Sequence, residues 1–155
     1  MRWLLALLAL QAAEPPQQFV QRFYDWYVQH GTVMDSAVAH QPSVLSPTLL
    51  AALRADEEAQ AKNTEEVTGL DFDPFVNSQD PCERYVAGTP VPSGQHFRVD
   101  VFGVCDGKKS KTPDLVAEIE PKGDAWVFVN FYYPESKTDL RTVLKRLLTS
   151  RQEKR

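Results

Sequence analysis

The sequence is poor in the residues from which metal centres and covalent catalysts are built. It holds two cysteines and three histidines in 155 residues. No C-x-x-C or H-x-x-x-H pair occurs, so the four closely spaced ligands of a zinc site are missing and no metal is expected. His30, His40 and His96 are isolated from one another, and no Ser-His-Asp order or cysteine nucleophile stands out, so no catalytic residue is assigned and no cofactor is expected. Long hydrophobic runs are also absent. The longest, 3–10 (WLLALLAL), is well short of the roughly 20 residues that span a bilayer as a helix, so no membrane span is expected. Nor is there a strong excess of one charge: 17 basic and 21 acidic residues give a net charge of -4. The distribution is uneven, however. Residues 141–155 have a balance of +5 and the remainder a balance of -9. An acidic body is a poor partner for nucleic acid, whose affinity comes largely from phosphate contacts. The basic end reads as the solvated face of a helix, or as a patch for a membrane surface or an anionic partner. There is no internal repeat.

What is present begins with an export signal. Met1 and Arg2 precede the apolar run, and Ala12 and Ala13 follow it, the order of charge, hydrophobic region and small residues of a secretory signal peptide. Residues 1–13 are assigned to that signal and 14–155 to a single domain, as the length suggests. The mature chain is expected to begin near Glu14 and to work in the periplasm or outside the cell. In that setting an even cysteine count reads as a disulfide. Joining Cys82 to Cys105 closes a loop worth about 3 kcal/mol in the chain-entropy model.

Periodicity divides the domain. Phe19, Phe23, Trp26, Tyr27 and His30 recur at helical spacing over 17–30, and Gly31 is a natural stop. Ser46 and Pro47 are an N-cap and first-turn proline. They open a helix that buries Leu49, Leu50 and Leu53, turns Arg54, Asp56, Glu57 and Glu58 outward, and fades by Asn63. Residues 64–82 form a long connection whose Leu70, Phe72, Phe75 and Val76 call for burial. The period then becomes two. Phe97, Val99, Val101 and Cys105 alternate with Arg98 and Asp100, and 115–120 and 125–133 flank the turn cluster 121–124 as a hairpin. The second arm, WVFVNFYY at 126–133, is apolar on both faces and should be central and covered. A last amphipathic helix over 139–150 buries Leu140, Val143, Leu144, Leu147 and Leu148. Helices first and an antiparallel meander afterwards give an α+β fold. A curved sheet around the aromatic helix would form a cone with a pocket at its wide end.

The residues FYDWY at 23–27, LSPTLL at 45–50, DFDPFVNSQD at 71–80 and the strand at Trp126 resemble a bacterial family of exported proteins known as domain of unknown function 3828. The stretch VFVN at 127–130 departs from its pattern, which tends to be acidic there. The resemblance implies a fold related to nuclear transport factor 2 and an exported location, but no chemistry. The densest polar group is Asp71, Asp73, Asn77 and Asp80. It lacks the internal glycine of an EF-hand loop, so structural pinning by short side chains is the simpler role. Asp73 and Pro74 are expected to fix the turn, while Asn77, Gln79 and Asp80 reach toward Trp26 at the cone mouth to meet a ligand or partner. An isomerase-like enzyme would instead need a carboxylate base (Asp25, Asp73 or Asp100) and a donor (Tyr27, Tyr85 or Tyr132) facing each other across an apolar pocket. The expectation that emerges is a non-catalytic binding module of the cell envelope, for an unknown small ligand or an envelope protein. The alternatives are the isomerase-like enzyme or an inhibitor or immunity-type protein that binds another protein.

Overall fold

A computed structural model describes residues 14–63 and 65–154; the signal-peptide expectation for 1–13 lies outside the described residues. Helix α1 (Pro16–Gln29) starts on a proline, which gives up no helical hydrogen bond in the first turn. It buries Phe19, Val20, Phe23, Tyr24 and Tyr27 along one face. The chain leaves it through Gly31 at φ +84°, a left-handed conformation that glycine adopts freely. A short helix α2 (Met34–His40) and a 3₁₀ turn (Pro42–Val44) follow; neither has a period that announced it. In α3 (Pro47–Lys62) the Ser46 Oγ accepts the Leu49 N–H at 3.3 Å, the cap that the sequence pointed to.

Among the described residues, seven strands form one antiparallel sheet: β1 (Arg84–Ala87), β2 (Val91–Ser93), β3 (His96–Cys105), β4 (Lys108–Lys109), β5 (Leu115–Lys122), β6 (Ala125–Tyr133) and β7 (Thr138–Asp139). The order along the sheet is β1-β3-β5-β6-β7, with β2 and β4 also paired to β3. Helix α4 (Leu140–Glu153) closes the chain, its N-cap Asp139 accepting the Thr142 N–H. The fold is therefore α+β, with helices and a large antiparallel sheet. The segment 83–95 yields β1 and β2 although its glycines and prolines hide them, because Tyr85 and Ala87 point into the core beside Val101 and Gly103.

Strand β6 is apolar on both faces for a reason beyond being covered. Glu118 pairs with Asn130 but Ile119 with Phe128, which leaves Val129 as the extra residue of a bulge. A bulge shifts the alternation by one residue. Trp126 and Phe128 before it, and Phe131 and Tyr133 after it, thereby all join the core cluster or pack against it. Phe128 lies 4.9 Å from Phe19 and Phe23, and Phe131 lies 5.1 Å from Phe128. Phe75 of the long connection closes the stack against Phe23 and Phe131.

Two burial expectations are corrected. Asp56 was placed outward among charged neighbours, but it is 2% exposed because it meets Arg151 of α4 across the helix pair. Leu148 was placed in the core, but it is 48% exposed: it borders an open cavity beside Ala52 and Ala55 of α3, whose short side chains leave it uncovered.

Cys82 and Cys105 are joined, with Cα atoms 4.7 Å apart, tying the start of β1 to the end of β3. Gly103 leaves room for the bridge: a Cβ there would meet Cys82 Sγ at 2.8 Å and Asp114 Oδ2 at 3.2 Å. Gly103→Ala should therefore lower stability by about 1–3 kcal/mol, the usual range for overpacking, measured as a urea midpoint. Most of that loss should vanish in a Cys82→Ala, Cys105→Ala background. An equal loss in both backgrounds would show that the bridge is not what the new methyl group strikes.

Candidate functional site

The segment 71–80 is held by its own polar groups. Asp73 Oδ1 accepts the Phe75 N–H at 2.9 Å, and the buried Tyr27 hydroxyl donates to Asp73 Oδ2 at 2.5 Å. Its backbone carbonyl accepts the Asn77 N–H at 2.9 Å, and its N–H bonds the Ser78 carbonyl at 3.1 Å. The turn through Pro74 is thus closed from both sides, and Tyr133 donates to the Pro74 carbonyl at 2.9 Å. Burial raises the Asp73 carboxyl to about 6, against the opposing pull of Tyr27 and the backbone N–H groups. Burial and the neighbouring carboxylate drive the Tyr27 hydroxyl far above its usual range.

The residues expected at the cone mouth do not converge there. Asn77 sits at φ +55°, a left-handed position that Asn tolerates, and its amide donates to the Asp114 carbonyl at 3.0 Å. Gln79 turns back to donate to the Asp71 carbonyl at 2.7 Å. Asp80 is exposed, and its N–H bonds the Ser78 hydroxyl. Asp71 and Gln79 border a wide, open depression of about 610 Å³ that does not include Trp26. Trp26 is half-buried, stacked on His30 at 4.3 Å.

Between α1 and the sheet, the space a cone would leave open is filled. Phe19, Phe23, Tyr24, Tyr27, Phe75, Phe128, Phe131 and Tyr133 are all at most 3% exposed. Of the three candidate bases, Asp25 and Asp100 are exposed, Asp25 accepting from Gln21, and Asp73 has both oxygens engaged as described. Of the three donors, Tyr27 serves Asp73, Tyr85 accepts the Cys82 N–H, and Tyr132 donates to Glu118. His30 and His40 each bond a carbonyl four residues back along their own helix, and His96 lies between Glu118 and Glu120. Among the described residues there is no cluster of three metal-ligating side chains, and no helix is long and apolar enough to cross a membrane.

A surface cleft is present elsewhere. Helices α3 and α4 leave a groove with a cavity of about 480 Å³ and a smaller one of about 220 Å³. Ala55, Leu148 and Arg151 line both, so the two adjoin.

The chain shares its fold with a protein of a bacterial effector–immunity complex. The match is to a chain in the crystal structure of the type VI native effector-immunity complex Tae3-Tai3 from Ralstonia pickettii, with a TM-score of 0.55 and 18% identity. It covers 77% of this chain and 94% of that one. No protein-family model matches the sequence, and no curated protein does.

The groove was not foreseen, although a signal for it existed. On α3, Thr48, Ala52, Ala55 and Ala59 recur at helical spacing, a face too small to fill the space before α4. The basic stripe of the last helix reads as a solvated face or as a patch for an anionic partner, with nothing local to place a wall opposite it.

Proposed function

We propose that this chain is an exported, non-catalytic binding protein of the cell envelope whose partner is another protein, of the inhibitor or immunity type. The observation that carries the reading is the filled interior. With eight aromatic side chains closing the space beneath the sheet, recognition falls to the outer surface, and a surface groove suits a protein segment better than a small ligand, which is usually enclosed by its site. The fold shared with a chain of an effector–immunity complex supports the same class of partner. The disulfide supports an oxidising compartment, since such bonds persist in the periplasm and outside the cell. The Glu14 carbonyl accepts the Trp126 indole N–H at 2.7 Å and the Glu14 carboxylate pairs with Arg22 at 2.8 Å. This firm anchor suits a mature chain that starts there after a signal spanning 1–13. The resemblance of 23–27, 45–50 and 71–80 to the 3828 family, with the fold related to nuclear transport factor 2 that it implies, is kept as part of this proposal.

The test is protection. The tagged protein is recovered from the envelope of its source bacterium, its equimolar protein partner is identified, and that partner is directed to the periplasm of a test host. The partner should arrest growth, and co-expression of this chain should restore it. A harmless partner would remove the immunity reading. A small molecule in native mass spectra, with no protein partner, would remove protein binding altogether.

A further inference from the structure

The α3–α4 groove has two unlike walls. The α3 wall is the small-residue stripe Thr48, Ala52 and Ala55, which lets an incoming backbone approach closely. The α4 wall presents Arg141, Lys145 and Leu148 at positions i, i+4 and i+7, one line along the helix, over a floor that includes buried Leu49 and Leu144. Arg141 and Lys145 are exposed and, among the described residues, make no salt bridge, whereas Arg151 at the far end is spent on Asp56. Glu58 lines only the smaller cavity, and the carboxylate of the larger one, Asp139, is likewise spent. It caps α4 and accepts from Thr142 and Asn130. A body with a balance of -9 thus leaves two cations unneutralised beside an apolar cleft.

From these walls, and resting on the protein-binding reading above, we propose that the groove receives an acidic amphipathic segment of the partner protein. Its carboxylates, one helical turn apart, pair with Arg141 and Lys145, and its apolar side chain packs on Leu148 and the alanine stripe. Helix-in-groove recognition of this kind draws affinity from apolar anchors and register from charge.

The test uses the full chain and a fluorescent helical peptide of about four turns, with Glu residues one turn apart beside a Leu stripe. Two control peptides replace Glu by Lys or Leu by Ser. By fluorescence anisotropy the acidic peptide should bind at least about tenfold more tightly than either control. Lys145→Glu and Leu148→Glu should each weaken it by about tenfold or more. Arg146→Glu makes the same charge change outside the groove lining and should leave affinity unchanged. All three positions are exposed, so melting temperatures should match the parent and a loss of binding is not a loss of fold. Equal binding of the Lys peptide, equal loss in Arg146→Glu, or no binding overturns the proposal. So would a dimer in sedimentation that Leu148→Glu disperses, which would give the groove to a second copy. Displacement of the probe by a peptide of residues 1–13 would give it to the chain's own N-terminal segment. Growth protection that survives Lys145→Glu and Leu148→Glu would sink the groove assignment and leave the immunity reading standing.

Discussion

Asp56→Ala is expected to cost about 3–5 kcal/mol, the range for removing one partner of a buried ion pair. The Asp56 side chain is 3% exposed and that of Arg151 17%. Asp56 Oδ1 accepts from Arg151 Nη1 at 2.6 Å, and Oδ2 accepts the Leu70 N–H at 2.9 Å. Arg151 also donates to the Thr68 carbonyl, and Gln60 Oε1 accepts the N–H groups of Thr68 and Gly69. One carboxylate therefore clamps the C-terminal end of α4 and the start of the long connection to α3. Its loss strands a guanidinium and a backbone N–H that were shielded from water. Arg151→Met should cost a similar amount by leaving the carboxylate unpaired. The double variant Asp56→Leu, Arg151→Met should lose much less than the sum, because matched apolar side chains replace a buried pair at little cost. Chemical denaturation of the four proteins settles it. Losses that simply add, each below about 1 kcal/mol as for exposed pairs, would show that the pair is a surface ornament.

That clamp also shows where the sequence stopped being readable. Asp56 sits between Arg54 and Glu57 in a charged run, and charge by itself argues for solvent. The residue that decides its burial is 95 positions away, and no local pattern reports a contact of that length. A weaker sign was available, since Leu49, Leu53, Asp56 and Gln60 lie on one helical face and a polar residue in line with buried leucines needs a partner. The elements with strong local chemistry were legible: the aromatic face of α1, the Ser46–Pro47 start of α3, the β5–β6 hairpin, the amphipathic last helix and the cysteine pair. The bulge at Val129 was not, because a bulge appears in sequence only as an alternation that fails. The role of the segment 71–80 was harder to read for a related reason. Asp, Asn and Gln in a loop can serve a ligand or the backbone equally well, and here the carbonyls of Asp71 and Asp114 and the N–H of Phe75 claim Gln79, Asn77 and Asp73, while Asp80 stays exposed.

The protein should be most stable in mildly acidic solution and lose stability as the pH rises toward neutrality. Asp73 is raised by burial from 3.8 to about 6. Glu57 is raised from 4.5 to about 7 by partial burial and the neighbouring Asp35 carboxylate. A folded-state value above the unfolded one means that the native state binds the extra proton between the two, so stability is full below the unfolded value and is lost as pH climbs through the folded one. For Asp73 that window runs from about 4 to about 6 and is worth up to about 3 kcal/mol at 1.36 kcal/mol per unit; Glu57 extends the decline toward 7. Glu14, held low by Arg22, and Asp139, held low by Asn130 and Thr142 against its partial burial, act the other way, their contributions being lost only as pH falls through their own depressed values. Asp73→Asn keeps an oxygen for the Phe75 N–H and an amide that can donate to the Tyr27 oxygen, but removes the charge. Its urea midpoint should hold nearly level between pH 4 and 6 while that of the parent falls, and adding Glu57→Gln should flatten the remaining slope up to pH 7. A parent midpoint that climbs over the same interval would mean that the Asp73 carboxylate is better satisfied by Tyr27 and the Phe75 N–H than its burial implies.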